Sequence, residues 1–423
     1  MRILIKNCLL IDPEGKHHQR KADVLVEDGK IIKVGIDEKF EHAEVLDVKG
    51  SLVMPGAMDL NTFSGEPGFE EKETLERLNQ AALQGGFSSI CTRSDLFPVV
   101  DQAGQVSFLQ KSSAHSDIYI RPLGAISKGL KGESLAELYD MHLAGAVAFC
   151  DAKNSISNLK LISLAMQYVK SFGGKLLFFA DEPTLSKGGQ MNEGEVSIHL
   201  GMKGIPAIAE EMAVKRILDL ALYNQVPVTF FGLSVGRAID AVRQAKAKGQ
   251  EVYAGVFVHH IYFNETKLVG FNSNYKLRPP LRSESDRLQL IEAIKDGTID
   301  FLSSDHCPEN IENKQVEFDY ASTGMIGLES ALSASWTVLK QHLSLDQFVA
   351  LWSVNIRKAL HIKVPHIEEG QEAELSIFSP EHVFTFSKHH RKSLSDNTAY
   401  YGEVLTGKVL GVVSKGKLSL SAS

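Results

Sequence analysis

The sequence predicts an α/β protein, a (β/α)8 TIM-type barrel carrying a small β-sandwich formed by both chain ends. Three observations carry this. Short apolar runs alternate with amphipathic stretches through the middle of the chain, the strand–helix repetition of a parallel barrel of about 250 residues. Both ends are strand-rich and lack that alternation. The apolar runs of the middle end in polar residues, where barrel chemistry sits.

The first 53 residues read as strands. "MRILIKNCLLID", "ADVLVEDGKIIKVG" and "AEVLDVKGSLVMPG" are apolar or β-branched runs broken by Asp-Pro, Asp-Gly and Gly, with "EDGK" as a hairpin turn. The C-terminal "AELSIFSP" and "YYGEVLTGKVLGVVSKGKLSL" repeat the style. Residues 1–53 and 365–423 are therefore expected to form one composite β-domain around a barrel over 54–364. Within the barrel, "GFSSICTR", "DIYIRPLGAI", "GAVAFCD", "GKLLFFADE", "VPVTFFGLS", "EVYAGVFVHH" and "IDFLSSDH" are the strand candidates. Asp59, Asp95, Asp151, Asp181, Ser234, His259, His260 and Asp305 lie at their C-terminal ends. In "AEEMAVKRILDLALYNQ", Met212, Ile217, Leu218, Leu220 and Ala221 are placed on the buried face of a helix.

Composition excludes some functions. A net charge of -7 argues against nucleic-acid binding, which needs a basic surface. No run approaches the ~20 apolar residues of a membrane span. The N-terminus lacks the apolar core of a signal peptide. The four cysteines Cys8, Cys91, Cys150 and Cys307 stand far apart, with no C-x-x-C pair, as expected of free thiols in a reducing cytoplasm. The segment Gly232–Gly236 reads G-x-S-x-G, the pattern of a nucleophile elbow, but it is short and its context fits only in part.

Taken in order, the landmarks resemble the dihydroorotases of the amidohydrolase superfamily. "VMPGAMDLNTFSGEPG" is similar to a family segment running proline, glycine, x, x, aspartate, x, histidine, x, histidine, x, arginine, glutamate, proline, glycine. "GAVAFCD" resembles the strand with an acidic metal ligand. "LRPPLRSESDR" resembles the asparagine–proline–proline–leucine–arginine loop. "DGTIDFLSSDHCPEN" resembles the last barrel strand, and "GMIGLESAL" the segment after it. The resemblance implies a place in pyrimidine synthesis, where family members make or open the ring of dihydroorotate. One or two zinc ions there activate water and polarise the ring carbonyl.

Position by position, the implied site is depleted. The four histidine ligands fall on Asn61, Phe63, Phe179 and Gly232; no histidine lies within 170–190, the nearest later one being His199, and none lies between 200 and 258. A phenyl ring has no lone pair for zinc, and an amide oxygen is a poor donor. The substrate-binding arginine falls on Gly65 and the asparagine near Asp95, where a negative charge would repel an anionic substrate. Arg278 and Glu309 replace an asparagine and a further histidine. Asp151 and Asp305 remain as metal-ligand types, with Asp305 the vestigial catalytic candidate. His259-His260 match a paired histidine outside the core metal set. A non-standard site from Cys150, Asp151, Asp305, His306 and Cys307 is the residual way to hold zinc.

The leading expectation is a non-catalytic dihydroorotase-like protein with no cofactor, resembling metal-less members that act as structural partners of aspartate transcarbamoylase. Family members often dimerise, so a homodimer is a second expected assembly. The alternative is an active metal-dependent cyclic-amide hydrolase, with zinc in a rebuilt site.

Overall fold

A computed structural model of the chain describes residues 2–36 and 43–421. The N-terminal strands are β1 (Arg2–Leu10), β2 (Arg20–Glu27), β3 (Lys30–Gly35), β4 (Glu44–Asp47) and β5 (Leu52–Pro55). Asp28 and Gly29 both take positive φ, 46° and 80°, as a tight two-residue hairpin requires. β5 leads directly into β6 (Ala57–Thr62), the first barrel strand. β7 (Phe87–Thr92), β8 (Tyr119–Gly124) and β9 (Ala148–Phe149) follow, then β10 (Leu177–Phe179). A small parallel pair, β11 (Met191–Asn192) and β12 (Gly204–Ile205), interrupts the series before β13 (Val228–Phe231), β14 (Val252–Phe257) and β15 (Phe301–Ser303). The chain ends in β16 (Leu375–Thr385), β17 (Val404–Ser414) and β18 (Lys417–Leu420).

The two ends meet in one sheet, ordered β18-β17-β16-β5-β1-β2-β3 with β4 also paired to β1. The joint is β5 against β16, antiparallel from Leu375 opposite Pro55 to Phe378 opposite Leu52. Its core contains Ile3, Ile5, Val24, Val26, Val53, Leu375, Ile377 and Val413, alternate positions on their strands.

The barrel is two parallel four-stranded arcs, β6-β7-β8-β9 and β10-β13-β14-β15. A parallel bridge from Phe149 to Leu176 joins them on one side. On the other, the buried Asp59 carboxylate ties β6 to β15: it accepts from the Ser303 hydroxyl (3.0 Å), the Ser304 amide (2.6 Å) and the Ser304 hydroxyl (2.9 Å). The inward residues Met58, Leu60, Cys91, Leu123, Ala148, Leu177, Phe179, Phe231, Phe257 and Phe301 form their own cluster, a filled barrel interior. Outer helices start on side-chain caps where the sequence supplies them. Thr74 caps 75–84, Asn158 caps 159–170 and Ser283 caps 284–295.

One helix turns differently from the sequence reading. The helix Ala207–Asn224 buries Ala209, Ala213, Val214, Ile217, Leu218 and Ala221. Met212 is instead 49% exposed and Leu220 only half-buried. At 100° per residue Met212 lies about 160° from the centre of that buried stripe, on the outward face, so its apolar character did not reveal its face. No helix among the described residues is long and apolar enough to cross a membrane.

Candidate functional site

The barrel mouth is organised around Asp305, just past β15, in a backbone conformation of φ 52° and fully buried. Burial pushes its carboxyl upward, and the Lys153 ammonium opposes that shift. Lys153 comes from the loop after β9 and donates to Asp305 Oδ2 at 2.7 Å. Asn61, at the end of β6, donates its amide to Oδ1 at 2.8 Å. One carboxylate oxygen thus has a donor from a strand and the other from a loop, and the charge is neutralised within the protein. The Lys153 ammonium also lies 5.2 Å from the centre of the Phe257 ring, a favourable cation–π distance.

Beneath this pair the mouth is aromatic. Phe179 and Phe231 rings are 5.9 Å apart, and Phe231 and Phe257 are 6.3 Å apart. Gly232 explains how the row fits. Its φ is 66°, and a Cβ there would lie 2.5 Å from Phe257 Cε2. The Phe257 ring occupies the space that any side chain at 232 needs. Phe63 is separate: it packs on Phe69 at 5.7 Å, with the Arg93 guanidinium 5.4 Å above its ring. Of the two phenylalanines at the implied ligand positions, Phe63 and Phe179, the structure places only Phe179 in the row. Phe231 and Phe257 were not singled out, although their alternation along β13 and β14 turns both rings inward.

The residual metal candidates do not converge. Asp151 points to its own loop, accepting from Ile126 N (2.7 Å), Ser127 N (2.9 Å) and the Ser127 hydroxyl. Burial still pushes its carboxyl upward. The Cys150 thiol is buried, donates to the Ala152 carbonyl at 3.5 Å, and is held well above the usual thiol range by burial. His306 turns away from Asp305: its Nδ1 accepts from Gly327 N at 3.3 Å and its Nε2 lies 3.6 Å from Glu73. Cys307 is half-buried beside Arg93, its Sγ 3.7 Å from Nη1. His259 is the nearest imidazole, with Nε2 3.9 Å from Asp305 Oδ2. Burial, then His260 and Lys153, hold His259 well below the ordinary imidazole range, so it is neutral.

Other expectations change with the geometry. Asp95 is no bare negative charge, because Arg93 forks onto both of its oxygens. Arg278 pairs with Asp181 at 2.8 Å, and Glu309 with Lys72 at 2.9 Å. Ser234 is no nucleophile elbow. Its hydroxyl is buried, donates to Glu210 and accepts from Arg282 Nε at 3.0 Å, with no histidine among these partners. Lys153 and Arg93 were missed in the sequence: single basic residues in irregular segments carry no periodic signal.

Zinc needs several nitrogen, sulfur or carboxylate donors at about 2.0–2.3 Å. Here the ligand positions hold an amide, two phenyl rings and a glycine, and the retained carboxylate is engaged by an ammonium. Among the described residues, no three His, Cys, Asp or Glu side chains group as a metal site would require. This donor set does not fit the family's metal.

Comparison with known proteins gives the kinship. Residues 50–224 match the Dihydro-orotase-like family and residues 200–419 the Amidohydrolase family. The chain is 37% identical to a dihydroorotase of Pelotomaculum thermopropionicum over 420 residues, covering 99% of this chain and 98% of that one. It is 34% identical to a dihydroorotase of Syntrophus aciditrophicus, with 99% of each covered. Among solved structures, an L-hydantoinase (dihydropyrimidinase) from Arthrobacter aurescens superposes with a TM-score of 0.88 at 22% identity, over 99% of this chain and 96% of that one. That likeness shows the shared barrel fold. With relatives this similar along its whole length, the chain belongs to the dihydroorotase family of the amidohydrolase superfamily.

Proposed function

We propose that this chain is a dihydroorotase-type protein of pyrimidine biosynthesis that has given up ring hydrolysis and serves as a structural or regulatory partner of aspartate transcarbamoylase. The observation that carries the loss of hydrolysis is the saturation of Asp305. In the family, the equivalent aspartate binds metal and shuttles the proton. Here the Lys153 ammonium and the Asn61 amide occupy its two oxygens. The Phe179–Phe231–Phe257 row adds an apolar floor where the reaction would have to place water and a polar ring. The partner role rests on the family resemblance and on the intact barrel frame around the altered mouth.

The test has two arms. The purified chain, with and without added zinc, is assayed for dihydroorotate formation and hydrolysis, and its bound metal is measured. The expected result is no turnover in either direction and less than stoichiometric zinc. Stoichiometric zinc with turnover would establish the alternative reading, a zinc-dependent cyclic-amide hydrolase with a rebuilt site. In the second arm, the chain is mixed with aspartate transcarbamoylase from the same source and sized. Co-elution that survives Asp305→Ala supports the partner role, and separate elution at micromolar concentration removes it.

A further inference from the structure

A cavity of about 520 Å³ opens beside the barrel mouth, walled by parts of the stretches 183–190 and 276–278, by Ile205, and by Asp319, Ala321 and Thr323. Asp305 and Lys153 do not line it, nor do Gly65 and Asp95, the positions implied for a substrate carboxylate. Its charge runs against that of the chain. Lys187, Lys276 and Arg278 line it against the single acid Asp319, in a protein of net charge -7. Two other polar cavities lean the opposite way. One sets Lys131 against Glu133 and Asp151, and the other sets Lys314 and Lys388 against Glu71, Glu309 and Asp396. A concave wall of one sign concentrates small ions of the other.

The donors around this space are under-used. The Arg278 side chain is 40% exposed and gives only Nη2 to Asp181, at 2.8 Å. Its Nε and Nη1 have no partner among the described residues, and the Phe179 ring supports the guanidinium from 5.7 Å. Lys187 is exposed, and its ammonium has no partner among the described residues. The Thr323 hydroxyl and the Gln190 carboxamide are likewise unengaged among them. Lys276 is buried without an ion pair among the described residues: its ammonium donates to the Phe318 and Asp319 carbonyls, at 2.6 and 2.9 Å. Lys203 adds a fourth cation at the rim. It donates to the Lys187 carbonyl at 2.6 Å, and its Nζ lies 3.6 Å from where a Cβ on Gly188 would stand. A carboxylate offers two oxygens and one charge, whereas a phosphoryl group offers three acceptor oxygens and up to about two charges at neutral pH. The surplus of cations and of unfilled donors matches the second.

We propose that this cavity binds a small molecule through a phosphoryl group, with Arg278 and Lys187 as its principal contacts. The site stands apart from the loss of hydrolysis, since it uses none of the groups that hold Asp305. Isothermal titration of the full chain with pyrophosphate, at neutral pH and fixed ionic strength, tests it. One saturable site per chain is expected, with a dissociation constant below about 1 mM. Arg278→Gln and Lys187→Glu are each expected to weaken binding about tenfold or more. Lys187 is exposed, so its variant keeps the fold even if Arg278→Gln disturbs the Asp181 side. Lys248→Glu makes the same charge change at the far end of helix Gly236–Ala247 and is expected to stay within about twofold of wild type, because salt screens distant surface charges. Tricarballylate has about the same charge as pyrophosphate but carries only carboxylates, and is expected to bind about tenfold more weakly. No saturation by about 5 mM pyrophosphate would overturn the proposal. So would binding indifferent to Lys187→Glu, or weakened as much by Lys248→Glu, which is general attraction of an anion to surface charge. Tricarballylate binding as tightly as pyrophosphate would overturn the phosphoryl assignment.

Discussion

Replacing Lys153 by methionine removes the ammonium but keeps most of the side-chain volume. Asp305 is then a fully buried carboxylate whose remaining direct hydrogen bond is from Asn61. Removing one partner of a buried pair costs about 3–5 kcal/mol, because the other charge is stranded. The Lys153 side chain retains only 11% exposure, so solvent relieves little of this. The lower end, about 3 kcal/mol, is expected because Arg93 still exerts a favourable field on Asp305. Asp305→Asn in the Lys153→Met background removes the stranded charge. The double variant is expected to lie within about 1.5 kcal/mol of wild type, since an apolar or neutral pair of similar volume is often tolerated. Urea unfolding followed by circular dichroism at pH 7.5 gives the full cycle. If Lys153→Met costs less than about 1 kcal/mol, or if the two single changes simply add, the ammonium is not the counter-charge of Asp305 and the reading of the mouth fails.

Three further outcomes follow from the same structure. His260 is buried and lowered to about 3, by burial first and then by Arg282. The folded state therefore binds fewer protons than the unfolded state between pH 6.5 and 3, and stability falls as pH drops through that window. From pH 6.5 to 5 this residue's share is about 1.6 kcal/mol, and His260→Asn should flatten the pH slope of urea stability by that amount. Gly232→Ala combines a positive φ with a Cβ driven into Phe257. Thermal or urea denaturation should show a loss of about 2–4 kcal/mol, and a neutral outcome would mean the ring does not fill that space. Of the four thiols only Cys307 is not buried. A maleimide should label one cysteine per native chain and four in denaturant, with the native label absent in Cys307→Ser; burial raises this thiol, so labelling should be slow at neutral pH.

Much of the architecture was legible in the sequence. The barrel strands announced themselves as apolar runs, and the meeting of the chain ends followed from their shared strand-rich style. The family resemblance set Asn61, Phe63, Phe179 and Gly232 on the ligand positions, and side-chain chemistry then argued against each as a zinc donor. What could not be read was which side chain crosses the mouth. Lys153 lies four residues past the end of β9 on an irregular loop, so neither period 2 nor period 3.6 governs its direction. Arg93 was passed over for its neighbour Asp95, although the two neutralise each other. Met212 shows the complementary failure: counting apolar residues in a helix finds its amphipathic character, but only their angular positions put each on a face, and Met212 is on the outward one.

The contact between Gly232 and Phe257 has a consequence for anyone seeking to engineer a catalyst into this barrel. An imidazole at 232 collides with the ring unless the ring is cut back, and trimming the ring alone opens a void and removes the surface on which Lys153 rests. A metal added to either intermediate would still have to displace that lysine from Asp305. Positions 153, 232 and 257 therefore form an interlocked set to be exchanged together, and a library that visits them singly would sample only damaged folds.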